Sequence, residues 1–167
     1  IYKKSYETGS LPMSWKFAAV VPIFKKGKRT DRANYRPVSL TPVCCKIMET
    51  LIKDKLLTFL QKHEVISREQ HGFLPGRSCL TNLLEALESW TRALDEGYGV
   101  DIVYLDYRKA FDSVPLKRLM GRLKASGLSG RLLRWIESFL RDRKMRVTLG
   151  GFFSEWIEVL SGVPQGS

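Results

Sequence analysis

Acidic residues are scarce in this chain. Seventeen Asp and Glu stand against 28 Lys and Arg over 167 residues, a net charge of +11. That excess favours a polyanionic partner, with nucleic acid the default candidate, although a basic surface also serves solubility. Cysteine is sparse too: Cys44, Cys45 and Cys79, an odd count with no C-x-x-C pair. Neither a disulfide framework nor a zinc site is supported, which points to a reducing, intracellular setting and to small buried hydrophobes. No run approaches the ~18 apolar residues of a membrane span. Ile1–Ser10 is polar and basic and lacks the apolar core of a secretory signal. Internal repeats and low-complexity segments are missing, and so is any Asp-Asp pair.

What is present is a foldable chain. Hydrophobic residues make up 44%, which argues against disorder, and the length suits one domain or two small lobes. The chain begins at Ile1 and stops at Pro164-Gln165-Gly166-Ser167; both ends look cut from something longer.

Phe17–Phe24 (FAAVVPIF) reads as a buried strand that Pro22 pushes toward an edge. A basic loop over 25–36 follows, and Pro37 holds Arg36 extended. Thr41 and Pro42 start a helix to about His63, with Val43, Ile47, Leu51, Ile52, Leu56, Phe59 and Leu60 on one face. Gln70–Arg77 is a loop. Ser78 caps a second helix with the stripe Leu80, Leu83, Leu84, Leu87, Trp90 and Leu94, ended by Gly97. Val100–Leu105 is apolar on both faces, as a central strand would be. Asp112 or Ser113 caps a helix carrying Leu116, Leu119, Met120 and Leu123, and Ser129 starts another. Met145–Leu149 and Phe152–Val159 form a β-hairpin around Gly150-Gly151. Several helices between successive strands predict an α+β fold with a small antiparallel sheet.

The chemistry concentrates around Asp106, at the end of the apolar run. A strand-end acid needs a partner, and Mg²⁺ is a strong one; a bond to local N–H groups is the bland alternative. Tyr107 offers a backbone carbonyl beside it. Phe111, five residues on, either presses against the sugar of a nucleotide or packs under the next helix. Asp112 suits a helix cap. Arg36, with Lys28 and Arg29 as further candidates, offers cations for a triphosphate. Gly162–Ser167 is a Gly-rich turn suited to close approach by a nucleotide, or simply a turn.

The order of these motifs is more specific than any one of them. Pro12 and Trp15-Lys16 lead into Phe17–Lys26; then come Asn34–Leu40 (NYRPVSL), Gln70–Phe73 with Gly76–Ser78, Leu105-Asp106 with Ala110–Asp112, and Gly162–Ser167. This series resembles the reverse transcriptases of non-LTR (LINE-type) retrotransposons over nearly the whole chain. The resemblance implies a right-hand polymerase, with fingers and the fingers–palm connection over 1–98 and a partial palm over 99–167. It implies that Asp106 is a catalytic metal ligand and that Tyr107 lends its carbonyl. By the same resemblance Phe111 is the steric gate, Arg36 the fingers arginine, and Pro164, Gln165 and Gly166 the motif beside the incoming nucleotide. Gly72, Phe73, Gly76 and Arg77 fall on the template side.

RNA template, DNA primer and dNTPs are the implied partners, with no membrane. The implied residence is nuclear, or in a cytoplasmic ribonucleoprotein. The family's second acidic motif, aromatic-x-Asp-Asp, and its thumb do not occur in the sequence. One carboxylate cannot hold two Mg²⁺ ions, so the chain alone is expected to be inactive. The competing expectations are a non-catalytic RNA-binding remnant that grips RNA through Lys25–Arg36 and Arg141–Arg146, and a metal-dependent nuclease. A nuclease would need an acidic or His cluster, and His63 and His71 lie far from Asp106 in sequence.

Overall fold

A computed structural model describes residues 1–165. The elements run α1 (Tyr2–Thr8), β1 (Phe17–Phe24), β2 (Tyr35–Leu40), α2 (Val43–Lys62), α3 (Cys79–Asp95), α4 (Leu116–Ala125), α5 (Gly130–Leu140), β3 (Lys144–Leu149), β4 (Phe152–Phe153) and β5 (Ile157–Glu158). Short 3₁₀ turns occupy Met13–Lys16 and Arg32–Asn34. The chain packs as two compact units, one of residues 1–56 with 108–167, the other of residues 57–107. This division by packing has different borders from the expected division by function at residue 98.

In the larger unit the sheet is ordered β2-β1-β3-β4, with β5 also on β3. The fold is α+β, but the sheet is mixed where an antiparallel one was predicted. The β1–β2, β3–β4 and β3–β5 pairs are antiparallel, while β1 and β3 run parallel. Local pattern finds hairpins; it cannot see that a strand returning after more than a hundred residues docks parallel.

Pro22 sits where a proline can. It lies opposite Pro37, beyond the Phe17–Val20 stretch that pairs with β3. Neither ring has an N–H to give, so their facing position must be a non-hydrogen-bonded pair, whose N–H groups point away from each other. Ser39, two residues on from Pro37, then points its own N–H toward the free edge of β2 as well.

The β3–β4 turn is the expected Gly-Gly hairpin. Gly150 and Gly151 both have positive φ (57° and 85°), as a type I′ turn demands. The returning strand was predicted to be continuous over Phe152–Val159 and is broken instead. Leu149 pairs with Phe152 and Thr148 with Phe153, but pairing resumes at Met145–Ile157 and Lys144–Glu158, one residue out of step. Ser154 fills the break: its N–H donates to the Val147 carbonyl at 3.0 Å, and its Oγ accepts from the Val147 N–H at 2.9 Å. This is a β-bulge.

The core gathers Leu11, Trp15, Cys45, Met48, Ile52 and Trp135. Trp135 Nε1 donates to Ser5 Oγ at 3.1 Å, which ties α5 to α1. Helix α1 arises in a stretch read only as polar and basic. On α2 the buried residues are Cys45, Met48 and Ile52, whereas Val43, Ile47 and Leu51 are exposed. The expected stripe holds in part, with Ile52 buried and Leu56, Phe59 and Leu60 half-buried, but in the first turns the helix directs Cys45 and Met48 inward in place of Val43 and Ile47. Cys45 and Met48 are smaller or softer, and they pack against Trp15 and Trp135 in the core. The expected Thr41 cap is not made: the Thr41 hydroxyl is buried without a hydrogen-bond partner among the described residues.

The smaller unit is built on the last six residues of α2, the 63–78 loop, α3 and the segment that follows it to Tyr107. Ser78 caps α3 as expected, with a reciprocal Ser78–Thr81 capping box. The leucine stripe of α3 is exposed rather than buried, and no residue of the helix is fully buried. The central strand expected over Val100–Leu105 does not form. Residues 100–107 take no regular structure, and Val103 and Leu105 are 78% and 88% exposed. A strand exists by hydrogen bonding to a neighbour, and no strand pairs with this run among the described residues.

Candidate nucleotide site

The motif residues of the larger unit meet around the segment before Gln165. The Val163 N–H donates to the Phe111 carbonyl at 2.9 Å, and the Gly162 N–H donates to the Val114 carbonyl at 3.0 Å. Ser161 Oγ donates to the Asp112 carbonyl at 3.2 Å. Gly162 has φ +83°, and a Cβ there would lie 2.7 Å from the Asp112 carbonyl oxygen. Only glycine allows this approach without a shift of backbone.

On its far side the segment reaches β2. The outward Ser39 N–H donates to the Gln165 carbonyl at 2.8 Å. Gln165 therefore lies on the free edge of the strand that carries Arg36. Arg36 is exposed and sits opposite Ile23. Ser39 and Val163 were not among the expected site residues; their backbone groups make the joins, and backbone joins leave no mark in residue type.

A cavity of about 460 Å³ lies against one sheet face, lined by Ala18 and Val20 of β1, Pro37 and Ser39 of β2, and Met145 and Val147 of β3. Asp112, Pro164 and Gln165 close it from the other side. By alternation Arg36 projects from the opposite face. A second cavity, of about 390 Å³, brings Phe111 and Pro164 together with Trp135 and Phe139.

Asp112 and Ser113 do not cap α4. The N-cap is Pro115, with no side-chain bond. Ser113 Oγ donates instead to the Lys109 carbonyl at 2.9 Å. Asp112 has become a wall of the first cavity.

The basic loop is the β1–β2 connection, and Asn34 shapes it. Asn34 Nδ2 donates to the Lys28 carbonyl at 2.9 Å, and the Lys25 N–H donates to the Asn34 carbonyl at 2.8 Å. Tyr35 Oη donates to the Arg29 carbonyl at 2.8 Å, and the Arg29 guanidinium lies 5.2 Å over the Phe24 ring.

Arg143 also lines the first cavity and is 3% exposed. Its Nη1 donates to the Phe139 carbonyl at 3.0 Å, while Nη2 is buried without a partner among the described residues. Burial lowers its pKa, partly offset by Cys45 and Glu49 nearby. The Cys45 thiol is pushed up to about 12 by burial, and Glu49 beside it adds to the rise. The sequence signals Arg143 only as one member of a basic turn.

In the smaller unit the 70–78 loop is pinned to α3 by buried His71. Its Nδ1 lies 2.9 Å from Thr81 Oγ1, and its Nε2 lies 2.9 Å from Glu85. Arg77 reaches the same Glu85 carboxylate at 3.5 Å. Phe73, exposed, and Gly76 both have positive φ, and the Gly72 carbonyl accepts from Gln70 Nε2 at 2.9 Å. Asp106 and Tyr107 are exposed at the end of this unit. Among the described residues no three His, Cys, Asp or Glu side chains converge as a metal cage would. Gly166 lies outside the described residues.

Residues 23–167 match the family model described as reverse transcriptase (RNA-dependent DNA polymerase). The chain belongs to that family. It is similar over its full length, at 33% identity, to the RNA-directed DNA polymerase from mobile element jockey of Drosophila melanogaster. Over 93% of its length it is 31% identical to the probable RNA-directed DNA polymerase from transposon X-element of the same fly. Over 95% it is 26% identical to a Pol polyprotein from the type-1 retrotransposable element R2 of Nasonia vitripennis. These relatives make it a LINE-type reverse transcriptase sequence. The chain spans 18%, 17% and 15% of their respective lengths.

Proposed function

We propose that this chain supplies the fingers and the first part of the palm of an RNA-directed DNA polymerase that copies retrotransposon RNA into DNA. The observation that carries this reading is the closure of residues 161–165 on Phe111–Val114 and on Ser39. Three motifs far apart in sequence, the Arg36 strand, the Phe111 turn and the Pro164-Gln165 turn, are held together by backbone bonds. Such a frame fixes residues that touch one small substrate.

In this reading Arg36 forks onto the phosphates of a dNTP, with Lys28 and Arg29 adding positive potential from the adjoining loop. Phe111 presents its ring to the sugar and excludes a 2′-hydroxyl. Pro164, Gln165 and Gly166 border the base, and Gly72, Phe73, Gly76 and Arg77 carry the template. Asp106 with the Tyr107 carbonyl holds one Mg²⁺. A pair of Mg²⁺ ions about 3.5–4 Å apart, as two-metal nucleotidyl transfer uses, needs carboxylates beyond this one.

The test is primer extension by the intact element protein. Asp106→Ala is expected to abolish synthesis and leave RNA affinity within about twofold, since an exposed side chain carries little of the fold; wild-type extension by the variant removes Asp106 from the mechanism. The 167-residue chain by itself is expected to give no RNA-templated extension, and measurable synthesis by it would refute the one-carboxylate argument.

A further inference from the structure

The bulge in the β3 hairpin has a chemical consequence. Had the register at Leu149–Phe152 and Thr148–Phe153 continued, Glu155 would stand opposite Arg146, a plain ion pair. The extra residue at Ser154 puts Trp156 there instead. The Arg146 guanidinium now lies 4.6 Å from the Trp156 ring centroid and 3.9 Å from that of Phe153. Phe17 of β1 meets Trp156 edge-on at 4.9 Å. Phe153 and Trp156 are 57% and 40% exposed. Arg146 Nε is buried without a hydrogen-bond partner among the described residues, so contact with the rings has replaced its solvation.

This cluster sits on the sheet face that carries Arg36, since Arg146 is in register with Ala19 and, across β1, with Leu40. Arg36 stands four residues along β2 from Leu40, about 13 Å at strand rise. Lys144 is on the same face, opposed by Glu158. The face thus carries a cluster of aromatic rings around Arg146 at one end and the exposed Arg36 at the other. A protein partner's apolar patch would leave these cations to be desolvated unpaired, whereas a nucleic-acid strand meets both needs. Its bases stack on rings and on guanidinium planes, and its phosphates pair with the charge. A duplex hides its base faces and cannot use the rings.

We propose that Arg146, Phe153 and Trp156 form a stacking platform for single-stranded RNA, laid along the sheet face opposite the 460 Å³ cavity. The proposal rests on the polymerase reading, which names RNA as the strand, and adds a site that reading does not contain.

The test measures binding of this chain to a labelled single-stranded RNA and to a hairpin duplex RNA by fluorescence anisotropy at one fixed salt concentration. Trp156→Ala and Phe153→Ala are expected to weaken single-strand binding about tenfold each, within the range of one lost base–aromatic stack, and to change duplex binding less than twofold. Trp156→Phe restores most of the loss, which separates stacking from misfolding. Arg146→Lys keeps the charge and loses the planar stack, so single-strand affinity falls while the salt slope is retained. Phe152→Ala, on the other face of the hairpin, leaves both affinities unchanged. Unaltered single-strand affinity in Trp156→Ala overturns the platform, as does equal loss for duplex and single strand. A self-association dissolved by Trp156→Ala with RNA affinity intact overturns it in favour of a contact between copies. Failure of the polymerase reading shows separately, as no RNA-templated primer extension by the unmutated element protein.

Discussion

Phe17–Phe24 and Val100–Tyr107 are two apolar runs of equal length with opposite fates. The first lies between β2 and β3 and buries Ala18 and Val20. The second pairs with no strand among the described residues and exposes side chains on both of its faces. The second carries Asp101 and Asp106 where the first has no charge, but its other six residues are apolar or aromatic. β1 is joined to β2 by a short loop that Asn34 and Gly27 can fold, so its first partner is almost adjacent in sequence. Residues 100–107 are flanked by α3 and by the turn before α4, and neither offers a backbone edge. Apolar alternation makes a strand possible; a partner edge makes it real.

The comparison can be broken at several points. Val20→Asp places an unpaired carboxylate where the side chain is 5% exposed, and is expected to cost about 4 kcal/mol or to abolish folding. Urea unfolding followed by circular dichroism checks it, and a loss below about 1 kcal/mol would mean that β1 is not buried as described.

Gly162→Ala should cost about 3 kcal/mol, from positive φ together with a Cβ pressed on the Asp112 backbone. Its amide exchange should rise at Ser39, which loses its acceptor if residues 161–165 lift away. Unchanged protection at Ser39 would show that the two joins are independent.

A smaller effect is set by pH. The folded Cys45 thiol has its pKa raised to about 12, against an unfolded value near 8.5. The folded state therefore holds the proton longer, and its stability is full below about pH 8.5 and declines as pH rises toward 12. Cys45→Ala, whatever its cavity costs at pH 7, should flatten that decline; an unaltered alkaline slope would assign the effect to other groups.

The smallest effect is expected from the other run. Val103→Asp, at a position 78% exposed, should change stability by less than about 0.5 kcal/mol. A large loss there would reveal that the run is covered in solution.

Much of the fold was legible because it is local. Ser78 announces the cap of α3, Gly150-Gly151 the hairpin turn, and Phe17–Phe24 the strand. The parallel docking of β3 on β1, the bulge at Ser154 and the burial of Cys45 in place of Ile47 depend on partners far along the chain, which no window of residues contains. The site divides in the same way. Arg36, Phe111, Pro164 and Gln165 were recognisable as residue types in a familiar order. The bonds that join them run through the backbone of Ser39, Gly162 and Val163, and Asp112 changed from an expected cap to a cavity wall once Pro115 took the helix start.

Cys44 and Cys45 are neighbours in sequence with opposite surroundings: the first is exposed and the second is fully buried. A thiol reagent at neutral pH should therefore modify Cys44 at once and Cys45 only during excursions that open the core around Trp15 and Trp135. The pair is a built-in clock, one hand reporting the reagent and the other the rate at which this unit breathes.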